Sequence, residues 1–256
     1  MTQLSSLCIQ NNNFRGTLPK FISSLSTLNY FLLNDNSFSG TLPNISKSTG
    51  LLAFFVQNNK FTGPIGHVLG HHPHLQSIDF SNNAFTGDLP ASIFLASKSF
   101  ESISVSSTCL NTKIPEEVCG LSTLKVLVLN GLDSSAGCRL DILPWLGFGA
   151  YYLASKPVPI PSCVYSLRSL QTLQLAGNLY SGSLEHVMLG VNLTTLILSH
   201  NNLRGSIPDS FQTRTHWSTL DLSNNKLDGT LRPDFAVQPS SYISLQVNRL
   251  SGHVPP

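Results

Sequence analysis

Cysteine and histidine are the residues of this chain best suited to redox chemistry or metal binding. Four of the five cysteines lie around one segment, at Cys109, Cys119, Cys138 and Cys163, and Cys8 is far from them. No CxxC or Cys/His spacing typical of a metal site is present. The sequence therefore favours disulfides over buried free thiols or a metal centre, and disulfides imply an oxidising compartment.

A histidine-rich stretch, GHVLGHHPHL, resembles a metal-binding cluster in its composition. It contains His67, His71, His72 and His74, but no carboxylate or cysteine accompanies them at ligand spacing. We therefore expect a solvated loop, without a metal.

Sequence signatures of common catalytic sites are absent. The chain has no GxSxG, HExxH or GxxxxGK[ST] motif, and GFGAYY lacks the third glycine and the βαβ context of a dinucleotide loop. We expect no catalysis and no cofactor in this chain.

The composition excludes two further classes of function. Charged residues make up 11% of the chain and the net charge is +2, which is too mild for a nucleic-acid-binding surface. No run of about 18 apolar residues exists, so we expect no membrane-spanning segment in this chain.

A phrase of the form LxxLxLxxNxLxGxLP recurs along almost the whole sequence. Its successive steps are 24, 23, 24, 25, 24, 46, 23, 24 and 23 residues. A period near 24 with this phrase is the signature of a leucine-rich repeat array. The column that aligns with the asparagine holds Asn12, Asn36, Asn59, Asn83, Thr108, Leu132, Asn178, Asn201, Asn225 and Asn248.

Each position of the phrase has a mechanical role. The alternation Ile78-Asp79-Phe80 predicts a short strand with its apolar side chains facing inward. Asn83 can turn its amide inward to bond backbone groups that the strand leaves free. Gly87 allows a tight bend, and Pro90 ends the extended segment. Repeated coils of this kind predict stacked strands in one parallel sheet.

The Gly-Thr-Leu-Pro and Gly-Ser-Ile-Pro endings at 16–19, 40–43 and 205–208 resemble the plant-type subfamily of leucine-rich repeat proteins. The resemblance covers nearly the whole chain outside the 46-residue step. It implies an α/β solenoid, a right-handed superhelix of about ten coils with a parallel β-sheet on its concave face. Members typically lie outside the cell, in receptor-like kinases, receptor-like proteins and polygalacturonase-inhibiting proteins that bind ligands.

The array predicts one continuous solenoid in three parts. Residues 1–131 and 164–256 are repeat coils with uncapped outer ends, and 132–163 form a cysteine-bracketed insertion within the sixth coil. Because free arrays need polar terminal units and the paired-cysteine caps usual in the subfamily are absent, we interpret the chain as a fragment of a larger protein. A signal peptide, a membrane helix or a kinase domain could lie outside it.

The insertion exceeds one repeat by 22 residues and resembles, in position only, an island that forms part of the ligand site in some plant-type receptors. Its aromatic residues could face a ligand or pack on their own coil, and we favour packing. They are Trp145, Phe148, Tyr151 and Tyr152.

Two kinds of covalent modification are predicted. Similar offsets in adjacent coils favour the disulfide Cys119–Cys163, and Cys109 and Cys138, which also belong to adjacent coils, are the second predicted pair. We expect Cys8 to be unpaired unless a part of the protein outside this chain supplies a partner. The triplets at Asn44 and Asn192 match the N-glycosylation sequon, although such triplets also arise by chance in a Ser/Thr/Asn-rich chain.

Solvent-facing strand residues on the concave face are the candidate ligand contacts. Tyr30, Leu32 and Phe55 predict an apolar patch, and Val126 and Val128 predict a smaller one beside the insertion. The alternative is that strand propensity alone explains these residue types. The full candidate set is Tyr30, Leu32, Asn34, Phe55, Gln57, Asp79, Val126 and Val128.

Together these features predict an extracellular module that recognises a peptide, protein or glycan, as part of a cell-surface receptor-like protein or kinase with a possible co-receptor. Two alternatives stay open. One is a secreted inhibitor or cell-wall scaffold that does not signal, and the other is a cytosolic adaptor.

Overall fold

The chain forms a stack of parallel strands, and the computed structural model describes residues 3–111, 113–132, 158–235 and 239–255. Ten three-residue strands form one parallel sheet in which each strand pairs with that of the next repeat. Numbered in chain order, they are β1 (Ser6–Cys8), β3 (Tyr30–Leu32), β5 (Ala53–Phe55), β7 (Ser77–Asp79), β9 (Ser102–Ser104), β11 (Val126–Val128), β12 (Thr172–Gln174), β14 (Thr195–Ile197), β16 (Thr219–Asp221) and β18 (Tyr242–Ser244).

A second row of strands follows the asparagine column and forms two smaller parallel sheets. The five-stranded sheet contains β2 (Arg15–Thr17), β4 (Ser37–Gly40), β6 (Lys60–Gly63), β8 (Ala84–Asp88) and β10 (Cys109–Asn111). The three-stranded sheet contains β13 (Ser181–Ser183), β15 (Asn202–Ser206) and β17 (Lys226–Asp228). Helices α1 (Ala91–Leu95) and α2 (Asp209–Gln212) and 3₁₀ turns at Lys20–Ser24, Glu116–Gly120 and Ser162–Ser166 lie in the return segments.

The strand register follows the sequence repeat. Ile78 pairs with Ile103 across β7 and β9, and Leu127 pairs with Leu173 across β11 and β12. Because β11 and β12 are direct neighbours, the 46-residue step adds no strand to the ten-stranded sheet. The segment 133–157 lies outside the described residues. Leu132 and Ile160, within the predicted insertion range, are buried in the common core.

Stacked aromatic rings fill the core of the first four coils. Phe14, Phe38, Phe61 and Phe85 occupy the same position of successive repeats, with ring centroids 5.9, 6.1 and 6.4 Å apart. Each coil is too thin to bury these rings alone, so stacking against its neighbours supplies the core. Phe14, in the first coil, remains 48% exposed.

The asparagine column forms the hydrogen-bond ladder that the sequence predicts. The Asn83 amide nitrogen donates to the carbonyls of Val56, Phe80 and Ser81 at 3.0, 3.2 and 3.1 Å. Its Oδ1 accepts the Phe61 N–H at 3.0 Å. One buried side chain therefore satisfies backbone groups of its own coil and of the preceding coil, which fixes the spacing between them.

Thr108 and Leu132 are the two residues of the asparagine column that are not asparagine, and they still continue the hydrogen-bond ladder across the 46-residue step. The Thr108 hydroxyl donates to the Leu132 carbonyl at 2.6 Å, and the Leu132 N–H donates to Oδ1 of Asn178 at 2.8 Å. The loss of two asparagines is therefore compensated by a threonine on one side and a regular asparagine on the other.

The position before each ladder residue adopts a left-handed backbone conformation. Asparagine, aspartate and glycine tolerate this conformation best, whereas a β-branched residue is strained by it. In chain order, the residues that precede the asparagine column are Asn11, Asp35, Asn58, Asn82, Ser107, Gly131, Gly177, His200, Asn224 and Val247, all with φ between 50 and 69°.

The expectation of a solvated histidine loop is wrong for His72. Its side chain is fully buried, whereas His67, His71 and His74 are exposed. His72 lies three residues before Leu75, at an inward position of the coil. Its Nδ1 lies 2.9 Å from the Ser48 carbonyl, and its Nε2 accepts the Gly70 N–H at 3.3 Å.

Candidate functional site

The solvent side of the ten-stranded sheet, here called the sheet face, carries an exposed apolar patch. Leu32 pairs with Phe55 across β3 and β5, and Tyr30 lies two residues from Leu32 on the same side. Tyr30 is 42% exposed, and Leu32 and Phe55 are partly exposed. Tyr30, Leu32 and Phe55 are therefore contiguous, and we call them the aromatic patch.

Asp79 borders the aromatic patch. It pairs with Phe55 on one side and with Ser104 on the other. Burial raises the pKa of Asp79 above the ordinary value of a carboxyl, while hydrogen bonds from Ser81, whose N–H donates at 2.9 Å, oppose that rise. This places a partly buried acceptor beside an apolar surface.

A row of amides ends on Asp35 beside the same strands. Asn82 donates to Oδ1 of Asn58 at 2.7 Å, and Asn58 donates to the Asp35 carboxylate at 2.6 Å. Asn34 donates to the other carboxylate oxygen at 2.7 Å. Because every amide donates toward Asp35, the carboxylate orients the polar border of the aromatic patch.

Gln57 lies next to this row with an unsatisfied acceptor. Its side-chain Oε1 is buried without a hydrogen-bond partner among the described residues, and Gln10 has the same property two strands away. A buried acceptor without a donor is uncommon in native structures. Two of the predicted contacts, Gln57 and Asn34, therefore lie beside the aromatic patch. Asn34 donates to Asp35, whereas the Oε1 of Gln57 has no donor among the described residues.

The structure separates the valine pair from the aromatic patch. Val126 and Val128 lie on β11 and pair with Ser102 and Ser104 of β9. Strands β7 and β9 lie between β5 and β11, so Phe55 and Val128 are about 14 Å apart at the strand spacing of parallel sheets. The predicted residues thus form two surfaces.

A row of threonines on the sheet face is not among the predicted ligand contacts. Thr172, Thr195 and Thr219 are aligned across β12, β14 and β16. The 23- and 24-residue steps between them, close to the repeat period, are the sequence signal for this row.

One predicted disulfide is present among the described residues. Cys119 is bonded to Cys163, with a Cα–Cα distance of 5.6 Å, and the bond joins the 3₁₀ turns of two adjacent coils. Cys109 is also disulfide-bonded, and its predicted partner Cys138 lies outside the described residues. Cys8 is free and exposed.

Comparison with known proteins agrees with this architecture. The leucine-rich repeat family model matches residues 3–25, 74–95, 192–213 and 216–237. The chain is 30% identical over 234 residues to receptor-like protein EIX1 of Solanum lycopersicum, covering 88% of the chain and 18% of that protein. It is also 30% identical to receptor-like protein 53 of Arabidopsis thaliana, over 86% of the chain and 18% of that protein.

The chain is a plant-type leucine-rich repeat protein. A solved structure of the Arabidopsis receptor kinase HAESA, in complex with the peptide hormone IDA and the co-receptor SERK1, matches it with a TM-score of 0.81 and 27% identity. That match covers 99% of the chain and 39% of the HAESA chain. A plant ice-binding protein matches with a TM-score of 0.69 at 20% identity, over 98% of the chain and 77% of that protein, which shows a shared fold only.

The leucine-rich repeat chain spans less than a fifth of the length of the receptor-like proteins from tomato and Arabidopsis. The matched family is a repeat family rather than an enzyme family. In the described part of the chain, no helix is long and apolar enough to cross a bilayer. Within the same residues, no three His, Cys, Asp or Glu side chains cluster as a metal site would require.

The two predicted glycosylation sites differ in hydrogen bonding. Both asparagines are exposed. The Asn44 Oδ1 accepts the Ser46 N–H at 2.8 Å, and the Asn192 Nδ2 donates to the Arg168 carbonyl at 2.9 Å. Glycosylation at either position stays a prediction. The predicted insertion contacts Trp145, Phe148, Tyr151 and Tyr152 lie outside the described residues.

Proposed function

We propose that the chain is the ligand-recognition part of an extracellular plant receptor-like protein and that it binds a peptide or protein segment across the sheet face. The observation that carries this proposal is the contiguous aromatic patch of Tyr30, Leu32 and Phe55 on a sheet face otherwise composed mostly of small and polar side chains. Aromatic side chains of this kind often supply most of the binding energy at protein interfaces.

The border of the aromatic patch suits an extended polypeptide. Asp79 and Asp35 can accept hydrogen bonds from backbone or side-chain N–H groups. The relatives are receptor-like proteins, and the HAESA structure contains a peptide hormone with a co-receptor. A co-receptor for this chain is part of the proposal.

The disulfide supports an extracellular location. The bond Cys119–Cys163 is expected to persist in an oxidising compartment and to be reduced in the cytosol. This favours a surface or secreted protein over a cytosolic adaptor.

The aromatic patch can be tested with a displayed random peptide library selected on the full chain. The double variant Tyr30→Ser/Phe55→Ser should bind the selected peptides at least tenfold more weakly, because it removes the apolar anchors. Tyr242→Ser is the matched control, since Tyr242 lies in the same column of the sheet face and is 60% exposed. Equal affinity of the wild type and the double variant, with both folded, contradicts the proposal.

A further inference from the structure

A small cavity lies away from the sheet face, between the 3₁₀ turn Ser162–Ser166 and strand β13. Its volume is about 230 Å³. The walls are apolar on one side, where Ile160, Leu184 and Leu203 are each at most 9% exposed. The turn is joined to the preceding coil by the Cys119–Cys163 disulfide, so one wall is covalently fixed.

A buried phenol lines this cavity without a hydrogen-bond partner. Tyr165 is 2% exposed, and no described residue donates to or accepts from its hydroxyl. Burial raises the pKa of Tyr165, so the group is a neutral phenol that can both donate and accept. A hydroxyl that opens into a cavity without a protein partner is usually satisfied by a ligand or by water.

Further polar groups converge on the same space. Ser162, Ser181, Ser183 and His186 are the polar residues that line the cavity with Tyr165. The Ser183 oxygen already accepts the Glu185 N–H at 3.1 Å, so its hydroxyl proton remains available to donate.

The backbone of β13 also leaves room. A Cβ built at Gly182 meets no atom within 4 Å, and Gly182 has a φ of 113° that a residue with a side chain rarely adopts. A Cβ at this position would therefore point into open space.

The geometry points to a binding site for a small, uncharged, ring-sized molecule with one hydroxyl or carbonyl group directed at Tyr165. An uncharged ligand is favoured because none of the described residues that line the cavity is Asp, Glu, Lys or Arg. The volume exceeds that of an engineered cavity that holds benzene and is below that of sites for drug-sized ligands. The site is independent of ligand recognition on the sheet face.

Benzyl alcohol is a suitable probe, and benzoate is its charged counterpart of similar size. In a saturation-transfer NMR titration of the full chain, we expect benzyl alcohol to bind and benzoate not to bind. Tyr165→Phe, which removes only the hydroxyl, should weaken benzyl alcohol binding about three- to tenfold. This variant should fold at least as stably as the wild type, because it removes an unpartnered polar group.

A second variant tests the location of the site. Ser181→Leu should fill the cavity and abolish binding of benzyl alcohol while the thermal unfolding transition is retained. The proposal is overturned if benzyl alcohol does not bind the wild type, if benzoate binds equally well, or if Tyr165→Phe and folded Ser181→Leu both bind benzyl alcohol as the wild type does.

Discussion

Val247 adopts a left-handed backbone conformation that strains valine more than it strains the residues at the same position of the other nine coils. Its φ is 55°, in the left-handed region where other coils place asparagine, aspartate, serine, histidine or glycine. A β-branched side chain crowds the following carbonyl in this conformation. The side chain is 69% exposed, so its packing contributes little that could compensate.

We therefore expect Val247→Asn to stabilise the chain by about 1 kcal/mol. Chemical denaturation monitored by circular dichroism measures this change. Val254→Asn is the control, because Val254 is 87% exposed and has no positive φ. An equal gain in the control, or a loss of stability in Val247→Asn, would show that backbone strain is not the cause.

His72 should make folding stability depend on pH. Burial lowers its pKa in the folded state below the ordinary value of 6.5, so the unfolded chain binds more protons between the two pKa values. Stability is therefore fully present above about pH 6.5 and is lost as the pH falls through this window toward the folded pKa.

His72→Leu should remove this part of the pH dependence, because leucine occupies the equivalent inward position at Leu25 and Leu121 and does not titrate. The free energy of unfolding, measured from pH 7.5 to 4.5, should fall less steeply than in the wild type. His74→Leu, at an exposed histidine, should retain the wild-type slope. Identical slopes for the wild type and His72→Leu would contradict the account.

The absence of a side chain at Gly190 allows its backbone to pack closely against the backbone of Tyr165 and Leu167 in the preceding coil. Its N–H donates to the Tyr165 carbonyl at 2.8 Å, and its carbonyl accepts from the Arg214 guanidinium at 2.9 Å. A Cβ on Gly190 would lie 2.7 Å from the Leu167 carbonyl oxygen, which is backbone and cannot rotate away.

Gly190→Ala should therefore destabilise the chain by about 2 kcal/mol, through a clash that moves one coil against the next. Gly66→Ala is the control, since a Cβ there would lie 3.4 Å from Pro90, in ordinary contact. Thermal unfolding distinguishes the two variants. A Gly190→Ala transition as high as that of the wild type would show that this segment adjusts without cost.

The repeat allowed most elements to be predicted, and its limits have physical reasons. The ladder of Asn83 follows from spacing alone, because each coil has the same free backbone groups. The burial of His72 could be predicted from its position, because it lies three residues before Leu75. The unsatisfied acceptor of Gln57 could not be predicted from the sequence, since side-chain hydrogen bonding depends on neighbours 23 residues away in the chain.

At the scale of the whole molecule, the array behaves as a chain of nearest-neighbour contacts, so its weakest junction limits cooperativity. The coils that flank the 46-residue step are joined by the ladder at Leu132, by the pairing of β11 with β12, and by the Cys119–Cys163 disulfide. The disulfide connects residues 44 apart in sequence.

Replacing Cys119 and Cys163 together by serine should lower the free energy of unfolding by about 2–4 kcal/mol, because the unfolded chain loses a crosslink. The unfolding transition should also broaden if the two halves begin to separate independently. Cys8→Ser is the control, because Cys8 is free and exposed. An unchanged transition in the double variant would mean that the ladder and sheet alone hold the junction.

Recognition on the sheet face is also a property of the whole array, because the aromatic patch and its acceptors come from several coils. Photo-crosslinking tests it most directly, with a benzoylphenylalanine at position 55 of the full chain and peptides selected on the wild type. We predict crosslinks from position 55 and none from the same group at position 95, where Leu95 is 53% exposed on helix α1. Crosslinking from position 95 without crosslinking from position 55 would contradict ligand recognition by the sheet face.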